Sequence, residues 1–128
     1  MKIGAQLYTV REFCKTKEDL GETLKKIADI GYQTVQVSGT CECDPMWLAQ
    51  ELKKNGLKCV LTHIPKDKLL ENAKQVAMDH KIFDCNYVGL GYFPLDEPEQ
   101  NLEEFLSLFI PVADAIKQQG KYFLYHNH

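Results

Sequence analysis

Residues 121–128 read KYFLYHNH. Aromatic and aliphatic side chains run without a helix-forming polar break, and the stretch follows Gly120, which predicts a β-strand. The strand ends in His126, Asn127 and His128. Side chains two positions apart share a strand face, so His126 and His128 point the same way. Polar, metal-capable groups at a strand's C-terminal end are typical of the functional edge of a parallel sheet. What remains is to read which sheet this strand joins.

Upstream, short apolar strands alternate with amphipathic helices. The first strand is predicted over residues 2–9. Thr16 starts a helix with Glu18 and Asp19 in its first turn, where the helix dipole favours them, and Gly31 stops it. A second strand covers 33–37. Asp44-Pro45 is a cap followed by a proline suited to the first helical position, and Asn55-Gly56 closes that helix around Trp47, Leu48 and Leu52. A third strand spans 57–64 and stops at Pro65. A helix over 68–80 should face Leu69, Leu70, Ala73, Val76 and Ala77 inward. The fourth strand covers 86–92, and the longest helix, 101–119, should kink at Pro111. The order is strand–helix four times and then a strand, which predicts an α/β fold of parallel strands with right-handed crossovers. Two architectures fit: an open five-stranded sheet, or one side of an eight-stranded βα barrel. At 128 residues length favours the open sheet, since a full barrel needs about 250 residues.

A charged fraction of 26% and a hydrophobic fraction of 45% describe a water-soluble core rather than a membrane span. Net charge is −3 with both signs interspersed, so no basic stripe offers itself to a phosphate backbone, and nucleic acid is not an expected partner. The N-terminal stretch reads as a strand and not a secretory signal. The five cysteines suggest no disulfide framework, so a reducing, cytoplasmic location is expected. Cys41-Glu42-Cys43 lacks the second ligand pair of a zinc site and reads as ordinary loop thiols. No glycine-rich phosphate cradle follows the first strand.

The predicted strand ends collect Gln6, Tyr8 and Arg11, then Gln36 and Ser38, then His63, then Tyr92, and finally His126, Asn127 and His128. These are hydroxyl-reading groups and suit a polyhydroxylated ligand. Three of the four histidines sit there, and imidazole both binds transition metals and moves protons near neutral pH. His80, at a helix end, reads as structural, favoured by the helix dipole. No acid–base carboxylate stands out at this edge: Glu12 and Glu42 are near it, and Asp44 reads as a cap. The catalytic residues are therefore unknown from sequence.

The segments IGAQLYTVRE (3–12), GYQTVQVSG (31–39), THIP (62–65) and YHNH (125–128) resemble the xylose isomerase-like TIM-barrel superfamily, and within it the sugar phosphate isomerase/epimerase branch. The resemblance implies that residues 1–128 form a single partial domain, strands one to five of a (β/α)8 barrel. It implies a divalent metal (Mn, Co, Mg or Zn) in the intact barrel, and proton transfer on a sugar or polyol. Gln6, Tyr8, Gln36, His63 and His128 would contact a small-molecule sugar or sugar phosphate, and His126 stands about where a first metal ligand is placed. The other metal ligands belong to later strands, so this polypeptide is expected to be inactive alone, possessing either a missing C-terminal half or a homodimer partner to cover its open side. A non-catalytic, self-associating half-barrel binding module is the alternative. An endonuclease IV-like nuclease shares the barrel but fits the charge balance poorly.

Overall fold

A computed structural model describes residues 3–94 and 98–127. Strands β1 (Gly4–Gln6), β2 (Thr34–Val37), β3 (Lys58–His63), β4 (Tyr87–Leu90) and β5 (Tyr122–Tyr125) alternate with helices α1 (Lys17–Ile30), α2 (Pro45–Lys54), α3 (Lys66–Ile82) and α4 (Pro98–Gln118). The strands form one sheet in the order β1-β2-β3-β4-β5, and every neighbouring pair is parallel. A doubly wound open sheet reverses its strand order at a switch point. Here the order never reverses, so the connections advance in one direction, as they do around a barrel wall. The topology decides against the architecture that length favoured.

The helices cover one face. Leu20, Leu24 and Ile27 of α1 and Leu48 and Leu52 of α2 pack with Val35, Val37 and Cys59 of the sheet. Leu69 and Ala77 of α3 and Phe109, Val112 and Ile116 of α4 pack with Val88 and Leu90. The opposite face, the inside of a barrel wall, carries the exposed Val60, Tyr87, Tyr122 and Leu124. Tyr87 and Tyr122 are register partners, and their rings stack with centroids 5.6 Å apart.

The capping signals act as the sequence requires. Thr16 Oγ1 accepts from Asp19 N at 3.1 Å, and Asp44 Oδ1 accepts from Met46 N and Trp47 N at 2.8 and 3.2 Å. Gly31 closes α1 at φ 114°, a left-handed conformation that a side chain would strain.

Four local expectations are corrected. β1 is three residues long; the chain leaves the sheet at Leu7 and turns in 3-10 fashion through Phe13, with Leu7 buried. Thr23 Oγ1 donates to Phe13 O at 2.6 Å and pins this turn to α1. Pro111 lies inside α4, and α3 is interrupted at Asn72 (φ −157°, ψ 75°). Asn72 Oδ1 accepts from Gln75 N at 3.0 Å, so it caps the second half of α3. Leu70, in the short first half, is 38% exposed and does not face inward. Finally, His80 does not serve the helix dipole as a cation. It is 1% exposed, its Nε2 lies 2.7 Å from Thr62 Oγ1, and its Nδ1 lies 2.7 Å from Val76 O. Burial pushes its imidazole below the ordinary value, so it ties α3 to β3 as a neutral group.

Candidate functional site

Parity decides which side chains reach the inner face. On β2, Val35 and Val37 pack toward the helices, which leaves Thr34 and Gln36 inside. On β3 the register slips: Val35 pairs with Cys59, but Gln36 pairs with Leu61 and Val37 with Thr62. One extra residue, Val60, is accommodated as a β-bulge. Without it His63 would share the helix-side parity of Cys59. With it, Thr62 points to His80 and His63 turns to the inner face beside Gln36.

The C-terminal edge of the sheet opens into a cleft of about 560 Å³ whose walls include Gln6, Tyr8, Ser38, His63, Tyr92 and His126. His63 and His126 meet edge to face with ring centroids 5.2 Å apart. His126 N donates to Leu90 O at 2.9 Å, which fixes its backbone just past β5. Tyr8 comes from the 3-10 turn. Its ring is packed by the Arg11 guanidinium at 4.4 Å, while Arg11 Nη1 donates to Tyr8 O at 2.9 Å. On the other side lies Gly39, at φ +66°, where a Cβ would fall 2.7 Å from the tyrosine ring. Arg11 is thus engaged in holding Tyr8. Gln36 stands behind the cleft wall, its Nε2 3.0 Å from His63 Nε2. His128 lies outside the described residues.

Two features escaped the sequence reading. Lys66 lies on the cleft rim, its ammonium 5.9 Å above the Phe93 ring. Gly89 and Gly91, two apart on the inner parity, make the slot that the His63 ring occupies: a Cβ would come within 3.0 Å of His63 Cδ2 from Gly89 and 2.9 Å of His63 Nδ1 from Gly91. The signal was present as a glycine pair with strand spacing, a mark of close approach. Ser38 is 2% exposed, and its Oγ has no hydrogen-bond partner among the described residues.

Among the described residues no carboxylate lines the cleft. Glu12 pairs with Lys15 on the surface, Glu42 pairs with Lys68 at 2.5 Å, and Asp44 caps α2. Among the described residues no three His, Cys, Asp or Glu side chains cluster as a divalent-cation site. Cys41 and Cys43 do not supply a thiolate either: burial pushes the Cys43 thiol up to about 11 and raises Cys41 as well.

No protein-family model and no curated protein matches the chain. Solved structures do. A sugar phosphate isomerase/epimerase from Parabacteroides distasonis matches 99% of the chain with a TM-score of 0.79 at 24% identity, over 55% of its own length. An AP endonuclease, family 2, from Brucella melitensis matches 98% with a TM-score of 0.75 at 18% identity, over 55% of its length. The IolI protein, with a binding zinc atom, matches 98% with a TM-score of 0.70 at 11% identity, over 51% of its length. The chain has the fold of half a xylose isomerase-like βα barrel. It spans about half the length of each of these proteins. No helix among the described residues is long and apolar enough to cross a membrane.

Proposed function

We propose that the cleft binds a sugar or sugar phosphate, and that residues 1–128 are one partial barrel domain of the sugar phosphate isomerase/epimerase type. The observation that carries this reading is the convergence of Gln6, Tyr8, His63 and His126 on one cleft at the C-terminal strand edge. Neutral amide, phenol and imidazole groups at fixed positions match the alternating donors and acceptors of a polyol. Proton transfer between sugar carbons is the reaction class the fold suggests. The described cleft offers imidazoles and no carboxylate base, so gripping the ligand belongs to this chain and the reaction to a longer barrel. Five free thiols support a reducing, cytoplasmic setting.

The test is titration of the 15N-labelled chain with glucose, fructose, xylose and their phosphates, followed by amide NMR. Shifts should concentrate at the cleft residues for at least one of these. His63→Ala should weaken that binding by about tenfold, near 1.4 kcal/mol, the upper range for one hydrogen-bonding side chain. Absence of localised shifts at millimolar sugar would sink the proposal. A nuclease of the same fold remains the lesser reading, because Lys66 is the single Lys or Arg on the cleft wall among the described residues; retention on DNA at moderate salt would favour it.

A second reading is favoured by the open inner face, where Tyr87 and Tyr122 are 43% and 60% exposed beside Leu124. Parallel sheets are ordinarily covered on both faces, and open β1 and β5 edges invite pairing. In this reading a second copy of the chain covers the face as a homodimer. Light scattering should then give twice the chain mass, and Tyr87→Ser with Tyr122→Ser should return a monomer. A compact wild-type monomer that unfolds cooperatively would exclude self-association.

A further inference from the structure

The cleft wall carries a charge without a counter-charge. Among the described residues Lys66 is its one Lys, Arg, Asp or Glu. The other cations near this edge are engaged elsewhere: Arg11 is stacked on Tyr8 and donates to its carbonyl, and Lys68 pairs with Glu42. No described carboxylate pairs with Lys66, and Asp67, the next residue, is not part of the wall. We propose that Lys66 is a specificity-determining residue: it holds an oxyanion, a phosphate monoester or a carboxylate, at the corner of the cleft where β3 passes into α3, so that the chain selects a charged sugar over a neutral one. This deepens the sugar-binding reading above and rests on it.

The surroundings of the ammonium favour an anion. Lys66 opens α3 directly after Pro65, and both residues line the cleft. Its Nζ lies 5.9 Å over the Phe93 ring. Phe93 is 5% exposed and meets Phe105 and Phe109 edge to face at 5.3 and 5.8 Å, so the platform under the ammonium belongs to the core. A ring face attracts an ammonium but supplies no negative charge. The charge is therefore left for an incoming oxyanion, toward which a lysine acts as a point charge with three donors. Ser38 lies on the same wall, buried, and its Oγ has no partner among the described residues. A hydroxyl in that state has a hydrogen to give to a ligand oxygen. Lys66 itself is exposed, so solvent screening limits what the charge contributes.

The experiment titrates the 15N-labelled full chain with glucose, fructose and xylose, each against its phosphate, with glucuronate against glucose, and with inorganic phosphate alone. At low salt at least one charged sugar should bind about tenfold more tightly than its neutral counterpart, with amide shifts that include Ile64 and Lys66. Salt at about 1 M should erase most of that preference. Lys66→Gln should bring the charged and neutral sugars to equal affinity, and Lys66→Arg should keep them apart. A lysine with a structural role alone would move neither ratio. Glucuronate and glucose phosphate separate carboxylate from phosphate as the group held. Equal wild-type binding of charged and neutral sugars, or a preference that survives Lys66→Gln, overturns the inference and leaves sugar binding intact. If no sugar binds, inorganic phosphate decides: shifts at Ile64 and Lys66 that vanish in Lys66→Gln keep the oxyanion site and sink the sugar reading, and their absence in the wild type sinks both.

Discussion

Phe109→Ala is expected to cost about 3–5 kcal/mol, the range for emptying a well-packed aromatic site. Phe109 is 2% exposed. Its ring stacks on Phe123 of β5 at 5.7 Å with planes 2° apart, and meets Phe93 at 5.8 Å and Phe105 at 5.0 Å. With Phe105, which meets Phe93 and Tyr125, it joins α4 to both the last strand and the segment after β4. Its neighbours are aromatic rings on three separate elements, and they cannot collapse together into the space it leaves. Natural domains hold only about 5–15 kcal/mol in total, so the variant should lose roughly a fifth of the stability or more. The midpoint of urea unfolding should fall in proportion while the slope stays constant. A loss below about 1 kcal/mol would mean that Phe109 does not anchor α4 to β5.

Much of the scaffold was legible because it is locally encoded. Asp44-Pro45, Thr16 and Gly31 mark helix ends through chemistry confined to a few residues. The strand–helix alternation was equally plain. What local pattern does not encode is strand order. Five parallel strands are compatible with a reversing order or a steadily advancing one, and length pointed to the wrong choice. The resemblance carried by QLYTVR and YHNH pointed to the order that the structure shows.

The misses have a common cause in distant partners. His80 read as structural, and is, but the helix dipole was named as its partner because its sequence neighbourhood is a helix end. Its actual partner is Thr62, which is 18 residues away. Asn72 breaks α3 by capping its own second half, in a window whose apolar spacing reads as continuous helix. At the site, His63 and Gln36 were both named at strand ends. Their direct bond depends on a bulge at Val60, and nothing in KCVLTH marks which residue is extra. Gln36 was expected to touch ligand, and its Nε2 lies 3.0 Å from His63 Nε2.

Gly89→Ala is expected to destabilise the chain by about 3 kcal/mol, at the upper end of overpacking costs. The added Cβ would fall 2.5 Å from Thr62 O, a backbone atom of β3. That oxygen cannot rotate away. His63 and Gly89 are register partners, and Ile64 N donates to Gly89 O at 2.8 Å, so the two strands are locked at the point of conflict. Relief requires β4 to move away from β3, and Thr62 on the helix side is itself bonded to the buried His80. Gly91→Ala makes the informative contrast. The nearest atoms its Cβ would meet among the described residues belong to the His63 side chain, at 2.9 Å from Nδ1 and 3.2 Å from Cγ. A ring can turn where a ladder cannot, so the stability loss should be less than half as large, about 1 kcal/mol. The His63 ring resonances should move, and its bond to Gln36 should weaken. The two substitutions therefore separate the sheet from the site: one carbon placed two residues apart breaks the β3–β4 pairing in the first case and evicts the imidazole in the second. Equal losses for both variants, or a Gly89→Ala chain within about 0.5 kcal/mol of wild type, would show that the β3–β4 register is not the one described.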